Sequence, residues 1–156
     1  MKLRKKKGFT LIELMIVIAI IAIIAAIAIP NLIEARKHGN EAAAIGALKT
    51  VASSQSLFRE GDKEGDGNLD YGTLDELANQ SLIDTILGTG TKQGYLFQGT
   101  YGATTSEFLW YAIANPAMAG TTGDRYFATN NEGVTYYTTS VTVDLISTDA
   151  QVPSAM

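Results

Sequence analysis

An apolar stretch from Phe9 to Ile29, interrupted by a single ionisable residue, restricts this chain more than any other feature of its sequence. Its roughly 21 residues would form a helix about 31 Å long, which matches the hydrocarbon thickness of a bilayer. In lipid, a lone segment must satisfy its own backbone hydrogen bonds, and a helix does so. Five of the first seven residues are Lys or Arg, which resist translocation. The pattern therefore predicts one membrane-spanning helix with its N-terminus in the cytoplasm.

The junction between the basic segment and the apolar stretch differs from that of an ordinary secretory signal. A secretory signal is cut after its apolar region, near small residues, whereas here the small residue Gly8 precedes that region. Residues 5–14 read KKKGFTLIEL, which resembles the class III leader of type IV pilins and type II secretion pseudopilins. The resemblance extends from residue 1 to about residue 34. It implies cleavage after Gly8 by a prepilin peptidase and N-methylation of the new terminal amine on Phe9.

The ionisable residue within the apolar stretch is Glu13. A carboxylate at membrane depth is costly, so its charge must be offset. The sequence leaves three explanations open: the side chain reaches water at the interface, it is protonated, or a cation from another subunit neutralises it. The resemblance implies the third explanation, with the terminal ammonium of Phe9 in a neighbouring subunit as the cation, because Glu13 is the fifth residue counted from Phe9. Such a buried pair fixes register more than it adds stability.

Pro30 follows the apolar stretch and removes a helical hydrogen bond, so the helix must either end there or continue with a kink. We expect a kink, because residues 31–59 have apolar side chains at three- and four-residue spacing. The predicted buried stripe consists of Ile45, Leu48, Val51, Ala52, Gln55 and Phe58. The sequence thus predicts one long bent helix over residues 9–59. By the resemblance, its membrane-spanning first half (9–29) also forms a filament core, and its amphipathic second half (30–59) packs under a globular head.

Residues 60–156 form the predicted head, which is long enough for one small core. Thr73 and Glu76 fit a capping box that starts a short helix ending near Asn79 or Gln80. Alternating apolar residues predict strands over residues 94–101, 107–114, 125–129, 134–138 and 141–145. Together these elements define an α+β fold in which the long helix packs on a small antiparallel β-sheet, as in type IV pilins. The chain has no Cys, so no disulfide can hold the head together.

The acidic segment after the long helix resembles an EF-hand calcium loop. Oxygen-bearing side chains stand at alternate positions around a glycine turn: Asp62, Glu64, Asp66, Asn68 and Asp70. Such hard oxygen ligands are the ones that Ca²⁺ prefers. However, Thr73 occupies the position where an EF-hand has a bidentate Glu, and a solvated acidic turn uses the same residue types. Calcium binding and a plain turn therefore both remain open.

Composition argues against two classes of function. His38 is the only histidine and Cys is absent, so neither a Ser-His-Asp nor a Cys-His catalytic site can form, nor a histidine-based metal centre. We therefore do not expect an enzyme. Without its leader, the chain has 7 Lys and Arg against 16 Asp and Glu. This balance disfavours binding of nucleic acid by this subunit alone.

The resemblance implies a structural subunit of a type IV pilus-like filament. Such a subunit is stored in the bacterial inner membrane as a single-pass prepilin and later forms an extracellular or periplasmic filament. Its partners are other pilin subunits, including minor pilins, a prepilin peptidase and methyltransferase, and an inner-membrane assembly platform. The alternative is a minor pilin or type II secretion pseudopilin that initiates or caps a filament. A monomeric membrane-anchored binding domain would use the same span but gives no reason for Glu13.

Overall fold

The computed structural model describes residues 8–63, 67–101 and 109–139, and the chain divides between Ala35 and Arg36 into two compact units. The helices are α1 (Leu11–Glu60), α2 (Leu74–Asn79) and α3 (Thr85–Gly88). The strands are β1 (Thr91–Lys92), β2 (Tyr95–Tyr101), β3 (Trp110–Pro116), β4 (Tyr126–Asn130) and β5 (Thr135–Thr138). A long N-terminal helix and a five-stranded antiparallel sheet confirm the predicted α+β, pilin-like class.

The first unit contains the beginning of α1, and its apolar side chains are exposed all round the helix. Every large apolar residue between Leu11 and Ile29 is at least 49% exposed. Among the described residues, α1 is the one helix long and apolar enough to cross a membrane. The helix continues through Pro30, so it does not end at Ile29. The kink expected at this proline stays a prediction.

The second unit contains the remainder of α1 and the sheet. Its five strands are arranged in chain order and every neighbouring pair is antiparallel, so the sheet is a meander. The register pairs Phe97 with Ala114, Ala114 with Phe127, and Phe127 with Tyr137. Alternate residues of a strand point to opposite faces. This register therefore aligns apolar side chains of neighbouring strands on one face of the sheet.

The core of the second unit lies between that face and one side of α1. The helix contributes Ala44, Ala47, Leu48, Val51 and Phe58. The sheet contributes Tyr95, Phe97, Trp110, Ala112, Ala114 and Phe127, and the region of α2 and α3 adds Leu74, Leu77, Ile83 and Leu87. The predicted stripe on α1 is confirmed for Leu48, Val51, Gln55 and Phe58, whereas Ile45 and Ala52 lie at its partly buried margin. The amphipathic part of α1 therefore completes the core of the head.

The capping box predicted at α2 is confirmed. The Thr73 hydroxyl accepts a hydrogen bond from the Glu76 amide (3.3 Å), and Glu76 Oε2 accepts one from the Thr73 amide (2.6 Å). The helix ends at Asn79, as expected. The sequence does not predict α3 or β1, because a helix of four residues and a strand of two are too short for hydrophobic periodicity to reveal them.

The predicted strands agree with β2, β4 and β5 to within one residue at each end. Gly133 lies in the turn between β4 and β5 with a φ of 73°, a conformation that favours glycine. The strand β3 begins at Trp110, so the prediction was wrong for Leu109, and it ends at Pro116, two residues beyond the predicted bound at residue 114. A proline is tolerated at the end of a strand, where its missing N–H is not needed. Residues 107 and 108, and the strand predicted over 141–145, lie outside the described residues.

Gly72 lies against the ring of Phe58, where an added Cβ would come within 2.9 Å of Cζ. Its backbone cannot withdraw easily, because it exchanges two hydrogen bonds with the Gln55 side chain. We therefore expect Gly72→Ala to lower the free energy of unfolding by about 1–3 kcal/mol. Unfolding of the full chain in detergent, followed by circular dichroism, measures this change.

Gly46→Ala is the matched control, because, apart from its chain neighbours and the backbone of its own helix, no atom lies within 4 Å of its Cβ position on the exposed side of α1. This substitution should be neutral or stabilise the chain by up to about 1 kcal/mol. Equal stabilities of the two variants would contradict the close packing of Gly72.

Candidate functional site

The predicted processing site lies in the first unit, at the start of the described chain. Gly8 and Phe9 precede α1 and are exposed, Phe9 to 87%. The bond between them is therefore open to an enzyme, as cleavage after Gly8 requires. Residues 1–7 lie outside the described residues.

Thr10 and Glu13 form a capping box at the N-terminus of α1. The Thr10 amide donates a hydrogen bond to Glu13 Oε2 (2.8 Å), and the Thr10 hydroxyl donates to the same oxygen (2.7 Å). In return, the Glu13 amide donates to the Thr10 hydroxyl (3.3 Å). This reciprocal arrangement is the one found at α2. It fixes the first turn of α1 and the position of the Glu13 carboxylate together.

This capping box bears on how the charge of Glu13 is tolerated. Two donors of its own chain bind the carboxylate, so part of the charge is compensated without a second subunit. Cleavage after Gly8 removes neither partner of the box. The sequence signal for this box is the Thr-x-x-Glu spacing of Thr10 and Glu13, which is the same as the spacing at α2. The assembly role of Glu13 and Phe9 stays a prediction.

The predicted calcium ligands are only partly described. Asp62, Asn68 and Asp70 lie among the described residues, whereas Glu64 and Asp66 lie outside them. Asp62 Oδ2 accepts a hydrogen bond from the backbone amide of residue 67 (3.2 Å). The loop's own backbone thus supplies a hydrogen-bond donor to this carboxylate. No group of three or more His, Asp or Glu side chains in the described part of the chain is placed to hold a metal ion. Calcium binding therefore stays a prediction.

A second polar site, which the sequence did not predict, lies in the second unit. Glu41 on α1 is only 2% exposed. Its carboxylate accepts hydrogen bonds from the backbone amides of Asp124 (3.0 Å) and Arg125 (3.2 Å). It also accepts two from the Arg125 guanidinium, from Nε (2.9 Å) and Nη2 (2.7 Å). These four bonds compensate a buried charge, and we call the three residues the Glu41 anchor.

Two further contacts join the same part of α1 to the segment before β4. Lys37 Nζ lies 3.1 Å from Asp124 Oδ2. Asn40 Nδ2 donates a hydrogen bond to the carbonyl of Thr122 (2.9 Å). Because Lys37 and Asn40 are within about one helical turn of Glu41, this short length of α1 holds residues 122–125 by several side chains at once.

The charges of the Glu41 anchor stabilise each other. Burial raises the pKa of Glu41, but hydrogen bonds from Arg125 and from the Asp124 backbone outweigh this effect and leave the pKa below its ordinary value. The hydrogen bond to Glu41 raises the pKa of Arg125. The guanidinium also lies over the rings of Phe127 and Tyr137, at 5.6 and 5.4 Å from their centres. Both partners are therefore charged at neutral pH.

The position of Glu41 in the sequence contains part of the signal for this site. It lies three residues before Ala44 and seven before Leu48, which places it on the buried side of α1. A charged residue on a buried stripe needs a partner. Arg125, however, is 84 positions away in the chain, so no local pattern could identify it.

Comparison with known proteins relates the chain to pilins. Residues 3–29 match the family model described as "Prokaryotic N-terminal methylation motif". The chain is 51% identical over 57 residues to the type IV wide pilus major component PilA4 of Thermus thermophilus. The aligned region covers 36% of this chain and 44% of that protein. It is 36% identical over 115 residues to the fimbrial protein EcpB of Eikenella corrodens. That aligned region covers 63% of this chain and 70% of that protein.

A similarity to secretion proteins is also present. The chain is 32% identical over 59 residues to the type II secretion system core protein G of Pseudomonas aeruginosa. The aligned region covers 38% of this chain and 42% of that protein. The chain therefore spans less than half the length of PilA4 and of core protein G. No solved structure matches the chain significantly.

The fold and the N-terminal site together define a pilin-like protein. A methylation motif covers the start of a long apolar helix, and a small antiparallel sheet follows that helix. The match to the fimbrial protein EcpB extends over most of that protein. The chain therefore belongs to the family of type IV pilins and type II secretion pseudopilins, as the resemblance in its first residues indicates.

The lowered pKa of Glu41 makes the stability of the second unit depend on pH. The ionised Glu41 anchor contributes its full stability above pH 4.5, the ordinary pKa of the group, and loses it as the pH falls through the lower pKa of the folded state. We expect Glu41→Gln to lower the free energy of unfolding at pH 7 by about 1–3 kcal/mol and to flatten this acid-side decline. Unfolding of the full chain measured from pH 7 to pH 3 gives both quantities.

Glu132→Gln is the control for this experiment, because Glu132 lies on the exposed turn between β4 and β5. It should keep the wild-type stability and the wild-type decline. A decline in Glu41→Gln as steep as that of the wild type would show that Glu41 is not its source.

Proposed function

We propose that this chain is a structural subunit of a type IV pilus-like filament, cleaved after Gly8 and assembled through its N-terminal helix. The observation that carries the proposal is the exposed bond between Gly8 and Phe9 directly before a capped, apolar helix. As far as Ile29, the large apolar side chains of that helix are exposed all round in the single chain. A surface of this kind needs lipid or neighbouring helices to cover it. In a filament subunit, lipid covers this surface before assembly and neighbouring helices cover it after assembly.

The proposal includes the location and the partners of the chain. The prepilin is a single-pass protein of the bacterial inner membrane with a cytoplasmic N-terminus, and the assembled filament is periplasmic or extracellular. The proposed segments are the leader (1–8), the membrane-spanning and filament-core half of the helix (9–29), its amphipathic half (30–59) and the head (60–156). A prepilin peptidase and methyltransferase process the N-terminus, and an inner-membrane platform and other pilin subunits take part in assembly.

Names of related proteins support a structural role over an enzymatic one. PilA4 is named as a major pilus component and EcpB as a fimbrial protein. The similarity to core protein G supports the second candidate, a type II secretion pseudopilin or minor pilin that initiates or caps a filament. The two candidates differ in abundance, because a major subunit must repeat along the whole filament whereas a minor one occurs at few positions.

Intact-mass spectrometry on filaments sheared from the native host and on its inner membranes tests this proposal. A chain that begins at methylated Phe9 and dominates the sheared fraction is the expected result for a major pilin. The same processed mass confined to membranes would favour the second candidate. A chain that retains residues 1–8 in both fractions would contradict the proposed processing.

Substitutions of Glu13 should affect filament assembly but not membrane insertion. We expect Glu13→Ala and Glu13→Val to insert in the membrane normally but to enter filaments poorly, because a charge that fixes register between subunits is lost. Quantitative immunoblots of membrane and sheared fractions measure the two steps. Incorporation of Glu13→Val at the wild-type level would rule out this role.

Glu13→Gln distinguishes the charge of Glu13 from its capping function. An amide oxygen can still accept the hydrogen bonds of Thr10, so helix capping is largely kept while the charge is removed. Assembly as poor as that of Glu13→Ala assigns the role to the charge. Assembly at the wild-type level assigns it to the capping box instead.

A further inference from the structure

The turn of α1 around Gly39 has neither strong helix propensity nor apolar packing to hold it. Glycine is less favourable in a helix than alanine, because it loses more backbone freedom on folding. Gly39 is exposed, and the first buried apolar residue of α1 is Ala44. Gly46 differs in this respect, because it lies between the buried residues Ala44 and Ala47. Something other than apolar packing must therefore hold α1 at Gly39.

Polar side chains on both sides of Gly39 bind one other segment of the chain, residues 122–125. Lys37 precedes the glycine by two residues and forms its ion pair with this segment. Asn40 and Glu41 follow the glycine and accept or donate hydrogen bonds there. Lys37 and Glu41 are four residues apart, so they lie on the same side of the helix. The turn that contains Gly39 is thus bound at both of its ends.

Residues 122–125 are in turn attached to the sheet. The hydroxyl of the buried Tyr95, on β2, donates a hydrogen bond to the carbonyl of Arg125 (2.8 Å). Gly123 is buried against the same side chain, whose ring and hydroxyl occupy the space that a Cβ would need. The strand β4 begins directly afterwards, at Tyr126. The side chains of α1 therefore bind a segment that the sheet holds in place.

We propose that these contacts act as a clamp that keeps α1 helical through Gly39. The Gly39 clamp consists of Lys37, Asn40 and Glu41 together with residues 122–125. Unwinding of this turn would separate all three side chains from their partners and would leave buried backbone amides of the segment without an acceptor. Such losses are costly. The clamp thus supplies the resistance to local opening that buried apolar contacts supply elsewhere in a fold.

The clamp also determines how far unwinding of α1 can extend along the chain. Pro30 lacks a backbone N–H and lies nine residues before Gly39, and residues 31–36 are exposed. A helical stretch of this length is not stable by itself. Without the clamp, an opening that begins at Pro30 would continue through Gly39 to the packed residues. The clamp begins at Lys37, directly after the boundary between the two units, and stops it there.

The proposal goes beyond filament assembly, because it concerns a single chain and holds whether or not that chain polymerises. Hydrogen–deuterium exchange of the full chain in detergent, measured by mass spectrometry, reports local opening of residues 37–43. The test variant is Glu41→Met/Arg125→Met, which removes the ion pair without leaving one charge buried. Glu and Met have similar helix propensities, so the substitution at residue 41 does not itself weaken the helix.

We expect exchange of residues 37–43 in this variant to become faster by about tenfold or more, while exchange of β3 keeps its wild-type rate. Wild-type exchange of residues 37–43 in the folded variant would overturn the proposal. Equal acceleration in β3 would assign the contacts to overall stability and overturn it as well. If the variant does not fold, Lys37→Met removes one end of the clamp, and the same two comparisons decide.

Gly39→Ala in the Glu41→Met/Arg125→Met background shows whether the faster exchange involves unwinding at this residue. Apart from its chain neighbours and the backbone of its own helix, no atom lies within 4 Å of its Cβ position. The substitution should slow exchange of residues 37–43 about fivefold, because alanine favours the helix. Gly46→Ala is the matched control and should leave that exchange unchanged. No effect of Gly39→Ala, or an equal effect of Gly46→Ala, would contradict the clamp.

Lys92→Met controls for the loss of an ion pair elsewhere in the second unit. Lys92 pairs with Asp84 (2.6 Å), and neither residue belongs to α1. This variant should keep the wild-type exchange of residues 37–43. Faster exchange there would show that the segment responds to any loss of stability, and it would overturn the proposal.

Discussion

One helix in this chain has to satisfy two different environments, and most of the structure follows from that constraint. Before residue 30, α1 is apolar on all sides and exposed, as lipid or other helices require. After residue 36, it has one buried side and one polar side, as packing on a single sheet requires. Both requirements are met by one continuous helix from Leu11 to Glu60. The distribution of apolar residues along this helix therefore distinguishes the part that suits lipid or neighbouring helices from the part that packs on the sheet.

Polar groups in both units are satisfied by the same physical means. Glu13 lies in an apolar segment and Glu41 in an apolar core, and each carboxylate accepts hydrogen bonds from its own chain. The partners of Glu13 come from one turn of helix, whereas those of Glu41 come from the segment before β4. A local partner fixes the conformation of a helix end. A distant partner such as Arg125 fixes how two parts of the fold lie against each other.

The sequence predicts the features that depend on neighbouring residues and misses those that depend on distant ones. The long helix, the capping box at Thr73 and the hairpin around Gly133 have local signals, and all three are confirmed. The short elements α3 and β1 are missed because they are too brief to show periodicity. At the N-terminal site, the motif identifies Gly8, Phe9 and Glu13 as candidates, and the Thr-x-x-Glu spacing of Thr10 and Glu13 is a further local signal that the prediction does not include. The Glu41 anchor could not be predicted, because its two halves are 84 positions apart.

The chain order of the strands has a consequence for how the second unit folds. Each strand pairs with the one that precedes it, so the sheet can grow by local antiparallel pairing, which requires little loop closure. The contacts between α1 and residues 122–125 require the closure of a much longer loop. We expect these contacts to form late, after β2, β3 and β4 have paired. The part of α1 around Glu41, although it is synthesised first, would thus reach its final packing after the part around Gln55, whose partner Gly72 is only 17 positions away.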